Sequence, residues 1–194
     1  YKFSVKILLK AYGMDNMKHL TYEGAMERLL KYYQVYYDIT SYEEDKRPLV
    51  ALCEFYEHSQ KYVLSRKAEL WSEDSEEFVY LFRISHLTTE LFEQIKEYSY
   101  NDGMERLHIG PGHMCSVINP VILCDTCDKD AVKALKKCRI YKSFHFSLHG
   151  WMDFRVAAVV LEDGRIERNA SGHSTAKILK KILYNTKRER GIFV

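Results

Sequence analysis

Apolar and polar residues alternate most strictly over residues 141–161, YKSFHFSLHGWMDFRVAAVVL. Even positions from Phe144 to Val160 are apolar or glycine. The odd positions begin polar: His145, Ser147 and His149, then Trp151, Asp153 and Arg155. Side chains alternate across a strand, so one face is apolar and the other polar and titratable. As one strand the stretch would extend roughly 65–70 Å, too long for a domain of this size. It must bend or turn, and His149-Gly150-Trp151 is the expected place. A three-residue turn pairs Leu148 with Met152, Phe146 with Phe154 and Phe144 with Val156, which keeps the apolar face intact. Ser147 then faces Asp153, and His145 faces Arg155. A sharp bend at Gly150 preserves the same parity.

Elsewhere the pattern predicts helices and strands in turn. Thr21 caps a helix over 22–38, with Met26, Leu29, Leu30, Tyr33 and Tyr37 at helical spacing. The charged segment SYEEDKRP, 41–48, ends it. LVALCEFYEH fits either a helical stripe or a strand, and its composition tilts it to strand. KYVLSRKAELW (61–71) and EEFVYLFRI (76–84) read as strands joined by the polar turn SEDS. Thr88 caps a helix over 89–102, with Leu91, Ile95 and Tyr98 inward. The loop HIGPGH (108–113) leads into SVINPVILC, apolar on both faces as a buried central strand is, although Pro120 interrupts its hydrogen bonding. Asp128 opens the short helix KDAVKALKKC. Asp163-Gly164 is a two-residue hairpin signal ahead of RIERN. Ser174 caps a last helix with Ile178, Leu179, Ile182 and Leu183 inward and Lys177, Lys180 and Lys181 outward. The sum is one α+β domain over residues 19–186, a mostly antiparallel or mixed sheet packed by three to four helices. An N-terminal extension (1–18) precedes it and a charged tail (187–194) follows.

Composition narrows the picture further. A chain of 194 residues, 46% hydrophobic, can bury one core. Its formal net charge of +2 is too small to imply a polyanion partner by itself. No apolar run approaches the roughly 20 residues of a membrane span. Lys6 and Lys10 bracket the short apolar run near the start, which makes a poor signal peptide. Five irregularly spaced cysteines suit a reducing cytosol better than a disulfide framework, so the expected location is cytoplasmic.

Several constellations could carry chemistry. The row His145, Ser147, Asp153 and Arg155 would suit acid–base work or anion binding, with Asp153 orienting a histidine and Arg155 holding a carboxylate or phosphate. An ordinary solvent-facing sheet surface with a cross-strand ion pair is the commoner explanation, since no nucleophile or metal motif sharpens the row. His108, His113 and His149 are candidate metal ligands, although no H-E-x-x-H spacing accompanies them. Cys124 and Cys127 stand as a C-x-x-C at a strand–helix junction, where a helix N-terminus can activate a redox pair; with Cys138 they could also ligate zinc. Buried cysteines acting as small hydrophobes are the commoner explanation. The order of elements is similar to that of endonuclease-like cores, but the nearest acid–lysine set is Glu54, Lys67 and Glu69, in reversed order. Lys177, Lys180 and Lys181, with Lys136, Lys137, Arg139, Lys187, Arg188 and Arg190, could form a nucleic-acid surface or simply a solvated helix face.

KYVLSRKAELW, the GPGHM-to-INPVIL segment and KSFHFSLHGWMDFRVAAVVLEDG together resemble a family of small uncharacterised proteins from Gram-positive anaerobic bacteria. The features that carry the likeness are Lys67 in a strand, His113-Met114 before a strand, and Lys142-Ser143-Phe144 leading to Gly150-Trp151 and Arg155. The resemblance covers about residues 20–180 and implies a cytosolic domain without supplying an activity. The leading expectation is a non-catalytic binding or assembly module, with a homodimer through an exposed sheet face or edge as one form. A hydrolase, metal-dependent and acting on phosphoesters through the His145/Asp153/Arg155 row and His113, is the alternative. A nucleic-acid-associated protein using the C-terminal basic helix is the third.

Overall fold

The computed structural model describes residues 20–42, 48–62 and 69–184, with side chains of 58–62 and 69–73 left aside. The extension at 1–18, the tail at 187–194 and Lys67 lie outside the described residues. Helix α1 (Tyr22–Tyr33) leads into strands β1 (Asp38–Ser41), β2 (Leu49–Tyr62) and β3 (Glu69–Leu87). Helix α2 (Thr89–Arg106) crosses back to β4 (His113–Cys127), and α3 (Lys129–Lys137) follows. The chain closes with β5 (Tyr141–Ser143), a 3-10 turn (His145–Ser147), β6 (Trp151–Phe154), β7 (Ala157–Val160), β8 (Arg165–Arg168) and α4 (His173–Tyr184).

The eight strands form one mixed sheet in the order β1-β2-β3-β4-β6-β5, with β7 beside β4 and β8 beside β7. The predicted α+β class, with one mostly antiparallel or mixed sheet packed by helices, is the class observed. β3, β4, β6 and β7 run parallel where they pair, and the remaining pairings are antiparallel.

Both faces are covered, which explains why β3 and β4 are apolar at consecutive positions. Phe78, Tyr80, Phe82, Ile118 and Ile122 join Phe92 and Ile95 of α2 and Leu135 of α3 in one core. Val79, Leu81, Val121 and Leu123 join Leu29 of α1 and Leu179 of α4 in the other. Pro120 sits in this central strand without loss. Ile118 O accepts from Arg155 N, so the missing Pro120 donor points to the same side, at the break between β6 and β7.

The caps read from the sequence hold at Thr21 and Thr88, whose hydroxyls accept from Gly24 N and Leu91 N. Other boundaries move. Helix α1 ends at Tyr33, and the short edge strand β1 follows. On α2 the inward stripe is Phe92, Ile95, Ser99 and Gly103, while Tyr98 is largely exposed. Asp128 leaves α3 uncapped by its side chain and turns to His86 instead, 3.1 Å away. Helix α4 begins at His173, so Ser174 lies inside it. The Asp163-Gly164 hairpin forms with a longer loop, since Val160 pairs with Arg165.

The largest correction concerns SEDS, which lies within the continuous β3: Asp74 pairs with His58 and Ser72 with Gln60. A second concerns 141–161, where Ser143 pairs with Trp151 and Tyr141 with Asp153. The hairpin therefore closes through a loop of residues 144–150. Ser147 is not opposite Asp153, nor His145 opposite Arg155.

Helix α2 is tied to the sheet by a polar chain. Tyr80 Oη donates to Asp102 Oδ2 at 2.6 Å, and Arg106 holds both Asp102 (2.6 Å) and Glu54 (3.1 Å). Burial pushes the Asp102 carboxyl up, but hydrogen bonds from Arg106 and Tyr80 and the Arg106 charge overcome it, leaving the group below its ordinary value. A carboxyl lowered on folding stabilises the fold above its unfolded value, and that contribution disappears as pH falls through the folded one. Urea midpoints at neutral pH and below about pH 4 will therefore fall less with acid in Asp102→Asn than in the parent. Equal acid sensitivity would contradict this.

Candidate functional site

At the end of the sheet where β3 and β4 begin, the residues hidden by the misread SEDS turn meet the GPG loop. Alternation places Asp74 and Glu76 on the same face of β3 as Phe78, and register sets Glu76 beside Ser116 of β4. Glu76 is 5% exposed and its carboxylate is held at three points. Ser116 Oγ donates to Oε1 at 2.7 Å, His108 N donates to Oε1 at 3.2 Å, and His108 Nδ1 meets Oε2 at 3.0 Å. His113 completes the cluster. Its Nδ1 lies 2.7 Å from His149 O, a carbonyl that only accepts, so that nitrogen carries a proton. Its Nε2 lies 2.6 Å from Ser116 Oγ and 3.8 Å from Glu76. The Ser116 hydroxyl thus bridges the His113 ring and the buried Glu76 carboxylate.

An open cavity of about 340 Å³ adjoins this network, lined by Tyr56, Glu57, Asp74, Glu76, His108 and His113 among others. The Tyr56 ring stands edge-on to His108 at 5.6 Å. Three carboxylates and an aromatic wall suit a cationic group, held by charge-assisted hydrogen bonds and a cation–π contact.

His113 links the cavity to the β5–β6 hairpin. Beyond its bond to His149 O, its ring meets Phe144 at 5.9 Å. Gly150 passes so close that a Cβ there would lie 2.3 Å from Met114 O. The loop tip then turns outward through three successive non-glycine residues with left-handed backbone, His145, Phe146 and Ser147 (φ 48, 54 and 67°). Phe146 is 95% exposed and Leu148 71%. The even-position apolar row thus fails at 146 and 148, while Phe144, Met152, Phe154 and Val156 stay in the core.

The sequence-predicted residues are dispersed. His145 stacks on His149 at 5.0 Å, with Ser147 exposed beside them on the tip. Asp153 on β6 and Arg155 just beyond its end pair with each other at 3.0 Å. His108 and His113 do converge, on Glu76, whereas His149 contributes its carbonyl. Among the described residues no group of three or more His, Cys, Asp or Glu could hold a metal ion. Cys124 is buried, and burial pushes its thiol up to about 12; Cys127 is raised by the same cause. Both shifts run opposite to those of an activated redox pair. Glu54 is engaged by Arg106. Lys177, Lys180 and Lys181 are exposed on α4. Sequence reasoning missed Glu76, Ser116, Tyr56, Glu57 and Asp74. The available signal was the acidic run 73–77 directly ahead of an apolar strand.

A family described as a domain of unknown function, DUF8052, matches residues 21–181, and the chain belongs to it. This agrees with the resemblance to an uncharacterised family. Neither the curated proteins nor the solved structures contain a match to the chain. No helix among the described residues is long and apolar enough to cross a membrane.

Proposed function

We propose that this DUF8052 domain is a non-catalytic binding module that grips a partner polypeptide at the β5–β6 tip and takes one of its cationic side chains into the adjoining acidic cavity. The observation that carries the reading is Phe146, almost fully exposed within three consecutive left-handed residues. Left-handed backbone costs an L-residue about 1–2 kcal/mol, and a ring exposed in this way returns little, meeting only the neighbouring His145 ring edge-on at 6.4 Å among the described residues. Such strain is characteristic of ligand clamps. Charge complementarity argues for a cationic partner, since Glu57, Asp74 and Glu76 line the cavity.

A second copy pairing along edge strand β5 fits less well. That strand is three residues long with Lys142 at its centre, which would meet itself across a twofold axis. Hydrolysis is also less well supported: Ser116, the hydroxyl beside His113, is 0% exposed and cannot reach a substrate. A cytosolic setting in a Gram-positive anaerobe goes with this reading, resting on the resemblance and on five free cysteines.

Titration of isotope-labelled protein with acetyl-Leu-Arg-amide and acetyl-Leu-Glu-amide tests the proposal. The arginine peptide should shift resonances at His108, Glu57 and Phe146, and Glu57→Gln or Phe146→Ala should weaken binding about tenfold. Equal response to both peptides, or none up to about 10 mM, would sink it. A partner-free check addresses the strain itself: Phe146→Gly should raise stability by about 1 kcal/mol while weakening the peptide. Unchanged or lower stability would show that the tip is unstrained.

A further inference from the structure

We infer that the groove between α4 and the β7–β8 hairpin binds a nucleotide-sized organic phosphate. The groove is open, about 710 Å³, and lies on the opposite face of the sheet from the acidic cavity. Arg168, His173, Lys177 and Lys180 line it, and among the described residues no carboxylate does. On α4, His173, Lys177 and Lys180 follow one another at four and three residues, so they share one helix face.

The hairpin carboxylates that could neutralise them are engaged elsewhere. Glu167 pairs with Lys136 and Arg165, and Asp163 with Arg165. Among the described residues, His173, Lys177 and Lys180 have no ion-pair or hydrogen-bond partner. Arg168 is fixed by Nη1 donating to Asn169 O (3.0 Å) and Ala170 O (3.4 Å), which leaves its Nε and Nη2 edge for a ligand.

This donor set is that of a phosphate site: a planar guanidinium edge plus two ammonium groups around a concavity. The remaining wall, Ile166, Ala176 and the Tyr184 ring, offers an apolar surface for a base. A long polyanion fits less well, because it needs a continuous cationic track and the chain sets 27 acidic residues against 29 Lys and Arg.

The test is a titration of the full chain with a fluorescent ADP analogue, with inorganic phosphate and a uridine oligonucleotide as competitors. We expect saturable binding of ADP near ~100 µM, weaker competition by phosphate alone, and no preference for the oligonucleotide. Lys177→Glu/Lys180→Glu should weaken ADP more than about tenfold with an unchanged unfolding midpoint. Lys181→Glu, on the same helix but outside the groove, should change it less than about twofold. No saturation by ~1 mM, equal loss in Lys181→Glu, or tighter binding of the oligonucleotide would each overturn the assignment.

Discussion

Replacing Asn169 with alanine will lower the stability of the domain by about 3–5 kcal/mol, the largest effect expected of any polar side chain among the described residues. Asn169 is buried and uses its whole amide. Its Nδ2 donates to Phe154 O (2.8 Å) and Cys138 O (3.3 Å), and its Oδ1 accepts from Gly172 N (2.8 Å) and Val156 N (3.2 Å). Those partners are the ends of β6, α3 and the turn into α4, with Val156 in the break between β6 and β7. One side chain therefore satisfies the backbone where the sheet changes partners. Alanine leaves two donors and two acceptors unpaired in a space closed to water, each costing about 1–3 kcal/mol in isolation, with relaxation recovering part of the sum. Asn169→Asp keeps the acceptors but turns a carboxylate toward two carbonyls, so it should be no milder. Urea unfolding with an unchanged m-value is the measurement; a loss below about 1 kcal/mol would show that other groups carry the junction.

Gly150→Ala will cost about 2–4 kcal/mol and release the hairpin tip. Two effects add. The backbone φ of +69° disfavours any Cβ, and the added carbon would meet Met114 O at 2.3 Å and His113 Nδ1 and O at 2.7 Å. Two of those atoms are backbone, so the loop must move instead, breaking His113 Nδ1–His149 O and the Phe144 N–Gly150 O bond of 3.0 Å. Amide exchange at Phe144, Leu148 and His149 should rise by more than that of β4 in the same sample. Gly110→Ala is the control. Nothing lies within 4 Å of its Cβ, and it should be neutral. If Gly150→Ala matched that control, the tip would not be anchored through Gly150. If it unfolded the molecule uniformly, the tip would belong to the global core and could not act as a separable binding element.

Most elements were legible because their patterns are local. Thr21 and Thr88 cap helices through their own turns, and the doubly apolar SVINPVILC can only be a strand covered on both faces. SEDS was misread for a physical reason. Polar residues in a row signal a turn when they face water, but here Asp74 and Ser75 line a cavity at the sheet's end, and pairing across to β2 keeps the segment extended. The same error hid Asp74 and Glu76, hence the candidate site. The 141–161 segment failed differently. Strict alternation describes an unstrained strand, and three left-handed residues at 145–147 put Phe146 and Leu148 in solvent against their hydrophobicity.

Local sequence thus determined the class of the domain, the order of its elements and the apolar faces they bury, since each depends on spacing within a few residues. Tertiary structure alone decided that β4 is flanked by β6 and β7 in succession, that Asn169 closes the break between them, and that Glu76, Ser116, His108 and His113 converge. These contacts join residues tens of positions apart, so their geometry is set by register and crossover and leaves no trace in the spacing of neighbours.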